Sequence, residues 1–349
     1  MTDTKTAPML SLAIPIYNES SVIDELLHRC FAALEPLPGG PHEVVVVDDG
    51  SQDDSLARLQ DAATSHSELV VVSLSRNFGH QAAIGAALDH TKGDVVVVMD
   101  GDLQDPPEQI GSLLKKYHEG FDVVYAIRIK RKEAWWLRTA YASFYRTLFV
   151  LADLQLPEGA GDFALLSRRV VDWIRSSPER NRYLRGLRTW YGFAQTGIPL
   201  ERDARHSGGP KYGLRRLFGL AFDAIFSFSI VPIRLATWTG VASVTLALAF
   251  VVYSFVAWLA YHDTSQASPT GFTALIFAIT FLGGTQLLFL GIVGEYIGRI
   301  YDEVKRRPHY IVDSVTIDGQ PRRVEYTRPY EHATASEPIS KVDAQRGDR

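Results

Sequence analysis

Cysteine is almost missing from this chain: Cys30 is the only one in 349 residues. An intramolecular disulfide and a multi-cysteine zinc site are therefore excluded, and nothing requires an oxidising compartment. An excess of positive charge is missing too. The formal net charge is −4, so no nucleic-acid partner is expected. Met1–Pro8 is short and polar and leads straight into a strand-like run, so no secretory signal is expected, and residues 1–9 read as a disordered start. Two phosphate-binding signatures are also absent. No Gly-x-Gly-x-x-Gly follows the first strand pattern, which argues against an ordinary dinucleotide dehydrogenase, and there is no P-loop. A bound nucleotide would have to be held by side chains and a metal.

Charge is also absent from two long stretches. Thr237–Tyr261 and Phe272–Val293 contain no Asp, Glu, Lys or Arg, and about 25 and about 22 apolar residues suffice to cross a ~30 Å hydrocarbon layer as helices. Spans over 233–261 and 272–298 are expected. The loop His262–Gly271 has no Lys or Arg. Arg202, Arg205, Lys211, Arg215, Arg216 and Arg234 precede the first span, and Arg299, Lys305, Arg306 and Arg307 follow the second. The positive-inside rule then places both termini and the N-terminal domain in the cytoplasm, in a multi-pass inner-membrane protein. Gly294 and Gly298 form a small-xxx-small pair suited either to close helix packing or to ordinary glycine usage.

Two further segments, 134–151 and 211–232, carry apolar faces at helical spacing with Trp135, Trp136, Arg215 and Arg216 at their entries. Each fits a core helix of a soluble domain. Their aromatic and basic composition beside the spans favours a collar lying on the membrane surface. Residues 299–349 read as a cytoplasmic tail, partly disordered and mobile beyond about Asp318.

The N-terminal half repeats one unit. Strand-like runs at Leu10–Pro15, Glu43–Asp48, Leu69–Leu74, Asp94–Met99 and Asp122–Ala126 alternate with helical patterns near Val22–Leu34, Asp54–Thr64, Gly79–His90 and Pro107–Glu119. Such a pattern predicts an α/β fold with a mainly parallel sheet covered on both faces, and ligands beyond the carboxyl ends of its strands. The polar motifs fall at those ends. Asp48 is placed to accept hydrogen bonds from a ribose or base, and Tyr17 offers a stacking surface. Asp49–Asp54 read mostly as turn and capping residues. Asp100-Gly101-Asp102 ends an all-apolar run, where two adjacent carboxylates repel unless a divalent cation such as Mg²⁺ or Mn²⁺ joins them. Asp105-Pro106-Pro107-Glu108 reads as a capping box.

Taken together, Pro15–Glu19, Val44–Ser51, Ser75-Arg76-Asn77-Phe78-Gly79-His80, Val95–Glu108, Gly161-Asp162-Phe163 and Gly294–Tyr301 resemble the family 2 inverting glycosyltransferases with a GT-A, Rossmann-like fold. More narrowly, the set resembles the polyprenyl-phosphate glycosyltransferases of bactoprenol glucosyltransferase type, relatives of dolichol-phosphate mannose synthase. The resemblance covers roughly Leu10–Tyr310 and implies a catalytic domain over 10–210.

It implies that Pro15, Tyr17, Glu19, Asp48, Ser51, Asp100 and Arg128 bind the nucleotide sugar, and that Asp100, Asp102 and Gln104 hold Mg²⁺ or Mn²⁺ and the diphosphate. It further implies catalytic roles for Asp102 and Asp162, acceptor-phosphate contacts from Arg205, Lys211 and Arg215, and a homo-oligomer, with a tetramer favoured. Two departures stand out: Asp-Gly-Asp replaces the commoner Asp-Ala-Asp, and Gly208-Gly209-Pro210-Lys211-Tyr212 replaces a Gly-Glu-Ser/Thr-Lys-type stretch.

The expected reaction moves a hexose from a nucleotide, UDP-glucose favoured, to a polyprenyl phosphate. Because a phosphate nucleophile is already anionic, no general base is compulsory, and Asp162 could orient rather than abstract a proton. A processive polysaccharide synthase lacks support because no Gln-x-x-Arg-Trp is present and two spans are few for a polymer channel. An inactive scaffold or transport subunit is disfavoured by the intact Asp-x-Asp and the absence of an inverted repeat.

Overall fold

The computed structural model of the chain describes residues 8–128, 160–177, 179, 183–200, 231–261 and 271–324. The proposed interfacial helix 134–151, all of 211–232 except its last two residues, and Arg205, Lys211 and Arg215 lie outside the described residues. Two compact units are distinguished: Met1–Arg131 with Leu156–Gly208 and Pro308–Arg349, and Lys132–Gln155 with Gly209–Arg307.

In the first unit the strands β1 (Leu10–Ile16), β2 (Glu43–Asp48), β3 (Leu69–Leu74), β4 (Val95–Val98) and β5 (Val123–Arg128) alternate with helices α1 (Ile23–Leu34), α2 (Ser55–Ser65), α3 (His80–His90) and α4 (Ile110–His118). Then follow β6 (Ala160–Ser167), α5 (Arg168–Ser176), α6 (Leu184–Trp190), β7 (Gln195–Leu200), β8 (Val312–Ile317) and β9 (Gln320–Arg323). Valine explains the strands. Val44–Val47 and Val95–Val98 are fully buried, and β-branched side chains pack well on a pleated surface covered on both sides. The period of two divides them: Leu12, Ile14, Val44, Val46 and Val97 meet α1, α2 and α4, while Ala13, Val45, Val47 and Val96 meet α3, α5 and α6. Cys30 lies in the first layer, where burial pushes its thiol up to about 12 against the pull of Arg29. It is a core residue.

The sheet runs β7-β5-β6-β4-β1-β2-β3-β8-β9. The centre β4-β1-β2-β3 is parallel. On one side β6 pairs antiparallel with both β4 and β5, and on the other β8 pairs antiparallel with β3. The sheet is therefore mixed rather than mainly parallel. Leaving β1, the chain turns to β2 on one side and later to β4 on the other. This is the switch point at which an α/β sheet opens a crevice beyond its strand ends.

The reading of 299–349 as a tail needs correction. Without a neighbour the outer edge of β3 would present unpaired backbone groups, and an uncovered edge invites aggregation. Residues 312–323 supply the cover, with Val312, Ser314 and Thr316 alternating inward and buried. Ser75 N–H donates to Ile311 O at 2.9 Å, and the Tyr310 hydroxyl donates to Asp89.

The second unit contains α7 (Val231–Tyr261) and α8 (Gly271–Val304). Both are long and apolar enough to cross a membrane, at ~1.5 Å rise per residue. Leu246, Leu248, Leu287 and Leu290 are each more than 60 % exposed, far from the polar surface of a water-soluble helix. The second helix runs past the expected end at 298, and an Arg299–Glu295 pair one turn apart at 2.9 Å joins the extension to the expected span.

A chain ending before Pro308 loses the cover of β3. We expect its melting temperature in detergent to fall by roughly 5 °C or more with increased aggregation; an unchanged melting curve would show that the hairpin does not stabilise the domain.

Candidate active site

The carboxyl ends of β1, β2 and β4 carry the polar residues, and the loops after β1 and β2 are laced together. Asn18 N–H donates to Ser51 Oγ at 2.9 Å, and Gln52 N–H donates to Asn18 Oδ1 at 2.8 Å. Glu19 N–H donates to Ser55 Oγ at 3.0 Å and Ser20 N–H to Asp53 Oδ2 at 3.1 Å. Ser51 therefore has a structural task as well as its expected ligand role. Tyr17 is 42 % exposed at the rim, free to present its ring. Pro15 is buried inside β1 opposite Val47. Glu19 is half-buried.

Asp48 is buried at the end of β2 and accepts from Ser51 N–H at 3.2 Å. Burial pushes its carboxyl above the ordinary value, opposed by Ser51. Asp49, assigned above to turn chemistry, reaches further: Oδ1 accepts from Phe78 N–H at 2.7 Å and Oδ2 from Gly79 N–H at 2.9 Å. The adjacent Gly50 has φ +67°, and a Cβ there would come within 2.5 Å of the Arg76 carbonyl carbon. Both residues thus pin the Arg76–Gly79 segment. Gly79, at φ 99°, then turns the chain into α3, a conformation open to glycine alone at ordinary cost. His80 is the first residue of that helix.

His80 joins two predicted carboxylates. Its Nε2 lies 3.4 Å from Asp100 Oδ1 and 3.7 Å from Asp162 Oδ2. Ligand atoms of the three residues fall within 4.8 Å of one another, a spacing that can hold a metal ion. Burial lowers the imidazole pKa, but Asp162 and Asp100 outweigh burial and raise it overall. Asp102 is half-buried and its Oδ1 accepts from Gln104 N–H at 3.1 Å. Between them Leu103 is buried at φ 60°, a strained conformation for a bulky residue that persists only where packing enforces it. Gly101 fits because the Ile16 Cδ1 lies 2.2 Å from where a Cβ would stand.

The expected capping box after this motif does not form. Asp105 Oδ2 accepts from Asp100 N–H at 3.4 Å, and Glu108 pairs through both oxygens with Arg29, at 2.8 and 2.9 Å. Proline in the first turn leaves few donors there to cap, so both carboxylates find other partners.

Asp162 enters from β6, whose antiparallel direction brings its N-terminal end to the same edge of the sheet. Only 6 % of its side chain is exposed, and Arg185 of α6 grips both oxygens at 2.7 Å. Burial opposes the charge, yet the Arg185 fork and His80 hold this carboxyl well below the usual range. Asp48 and Asp100 end strands two positions apart, which separates them by about 10 Å. Arg128 ends β5 opposite Leu200; its side chain lies outside the description.

Composition and spacing had singled out neither His80 nor Arg185. The residue His80 stood inside a motif without a role, and Arg185 was one cation in a basic region. The available signals were a glycine before a helix start and an arginine-dense Arg180–Arg188 segment.

Comparison with known proteins supplies the class. Residues 11–174 match the model of glycosyl transferase family 2, and residues 231–300 match the GtrB C-terminal hairpin. An uncharacterised glycosyltransferase of Synechocystis sp. is 39% identical over 307 residues, 88% of this chain and 95% of that protein. A bactoprenol glucosyl transferase of Shigella phage SfX is 36% identical over 314 residues, 87% of this chain and 99% of that protein. Glucosyl-3-phosphoglycerate synthase from Mycobacterium tuberculosis aligns with a TM-score of 0.44 at 22% identity, covering 63% of this chain and 78% of that one. The chain belongs to glycosyltransferase family 2. It is a glycosyltransferase with a GT-A catalytic domain followed by a helical hairpin.

Two outcomes follow from this geometry. Gly50→Ala is expected to destabilise by about 2–3 kcal/mol in denaturant melts, since backbone blocks the added methyl; a loss under about 0.5 kcal/mol would contradict the packing. For Asp162 the folded pKa is depressed, so its contribution to stability is full above the unfolded value of about 4 and disappears as pH falls through the folded value. Asp162→Asn should therefore cost about 3 kcal/mol at pH 7, and its deficit should shrink below pH ~4. A deficit independent of pH would refute the charged pairing.

Proposed function

We propose that this glycosyltransferase carries a hexose from a nucleotide sugar, UDP-glucose favoured, to polyprenyl (undecaprenyl or bactoprenyl) phosphate, with inversion. The phosphate oxygen bonds to the anomeric carbon as the bond to the diphosphate breaks. The observation that carries the reading is the convergence of Asp100, Asp162 and His80 at one edge of the sheet, in a chain that also holds two helices able to cross a membrane. The name of the phage relative supports the lipid acceptor. The apolar helices are read as spans, with the arginine-rich flanks and both termini cytoplasmic, and the protein as a homo-oligomer, a tetramer favoured. GDP-mannose, UDP-galactose, UDP-N-acetylglucosamine and a UDP-aminoarabinose type are the competing donors.

Each group has a task in this scheme. Asp48 and Tyr17 hold the nucleoside end. Asp100 and Asp102, with His80 beside Asp100, present hard oxygens and an imidazole that fit Mg²⁺ or Mn²⁺, and Gln104 stands next to them. When bound, such an ion neutralises charge on the departing diphosphate. Asp162 is ionised and paired with a cation, Arg185 in this structure, so it orients neighbours rather than removing a proton. Arg128, Arg205, Lys211 and Arg215 are assigned to phosphate charge.

Purified protein given UDP-glucose, short polyprenyl phosphate and Mg²⁺ or Mn²⁺ should form the glycosyl lipid. Asp100→Asn and Asp102→Asn should each lower the rate by roughly 100-fold or more while melting near the parent temperature. Full activity of both variants would sink the mechanism, and transfer from a different nucleotide sugar would correct the donor.

A further inference from the structure

Arg188 is a buried charge without hydrogen bonds. The residue is 1 % exposed, and Nε, Nη1 and Nη2 all lack a hydrogen-bond partner among the described residues. Its guanidinium carbon stands 5.0 Å from the centre of the Tyr125 ring, a contact that recovers part of the lost hydration. Burial pushes this group down to about 10, with Asp162 pulling it up and Arg185 pushing it down. A cation enclosed in this way is costly, and such an arrangement calls for an explanation in function.

The explanation lies one turn back. Positions 185 and 188 are three apart on α6 and so share a face of the helix. Arg185 holds Asp162 with Nε and Nη2, and its side chain is 30 % exposed, against 6 % for the carboxylate. Asp162 thus has two cations: one bonded and reaching solvent, the other enclosed and unbonded. Were Arg185 to leave, a buried carboxylate would lose its paired charge, a strongly unfavourable change. A second cation on the same helix face, set over the ring of Tyr125, which pairs with Ala164 two residues along β6 from Asp162, removes that obstacle.

We infer that Arg188 is the exchange counter-ion of Asp162: a phosphate oxyanion of the reaction draws Arg185 outward, and Arg188 takes over the carboxylate. The inference rests on the proposed glycosyl transfer, in which the donor diphosphate and the acceptor phosphate both pass this edge of the sheet. Arg188 is then a positioning residue. It never touches the ligand, and it decides whether Arg185 is available to do so.

The test is a binding cycle on the full-length protein in detergent, with UDP and a short-chain polyprenyl phosphate as separate probes at constant Mg²⁺. Arg188→Met traps Arg185 on Asp162 and should weaken one probe by roughly tenfold to a hundredfold; the probe affected identifies the phosphate. Adding Asp162→Asn to Arg188→Met releases Arg185 and should restore that affinity. Arg188→Lys, which keeps the cation, should bind within about threefold of the parent, and it serves as the folded comparison should the Met variant not fold.

Unchanged affinity for both probes in Arg188→Met overturns the exchange. So does a loss that Asp162→Asn leaves in place, or a loss in Arg188→Lys as large as that in Arg188→Met. A parent protein that binds neither probe defeats the glycosyl-transfer reading itself, and the exchange with it.

Discussion

Asp48, Asp49, Asp100, Asp102 and Asp162 gather at one edge of a sheet whose body is mostly valine, leucine and alanine, and carboxylates in such surroundings must be compensated or neutralised. How each is compensated sets the local structure. Backbone N–H groups serve Asp48, Asp49 and Asp102, which folds the adjoining loops tightly around them. Asp162 takes a guanidinium instead. That choice anchors α6 to the start of β6 and brings a second arginine into the interior.

The compensations also transmit position. Asp49 fixes Phe78 and Gly79, Gly79 sets the entry of α3, and the entry of α3 places His80 between Asp100 and Asp162. A carboxylate at the end of β2 therefore determines the geometry at the ends of β4 and β6 without touching either. The strain at Leu103 belongs to the same construction. Its side chain is held in the core while its backbone turns Asp102 and Gln104 away from the strand, and strain of this kind is sustained only by surrounding packing.

Runs of valine and their spacing were enough to locate β1 to β5 and α1 to α4, because burial on both faces leaves a local signature. The antiparallel strands were not visible in that way. Ala160–Ser167 and Val312–Ile317 contain small and polar residues, and their pairing with β4, β5 and β3 is decided by edges far away in sequence. Partners of charged side chains were equally hidden. Glu108 lay at ideal capping distance from Asp105, yet it pairs with Arg29, since a contact 79 residues away leaves no local trace. Asp100 could be singled out because its chemistry is carried by its neighbours in sequence, whereas Arg185 acquires meaning only once Asp162 is beside it.

The state of Asp162 also bears on the kind of acceptor the site can use. A hydroxyl acceptor needs a base to take its proton, and the efficiency of that base depends on a pKa near the working pH. Asp162 is held far below that range by Arg185, against the effect of burial. A nucleophile that arrives already ionised needs no such base. A phosphate monoester meets that requirement, and its charge is matched by the same arginine-bearing edge that makes proton abstraction unfavourable. In the proposed reaction, therefore, the pairing of Asp162 with Arg185 takes from the site no base that its acceptor needs, while it stabilises the fold.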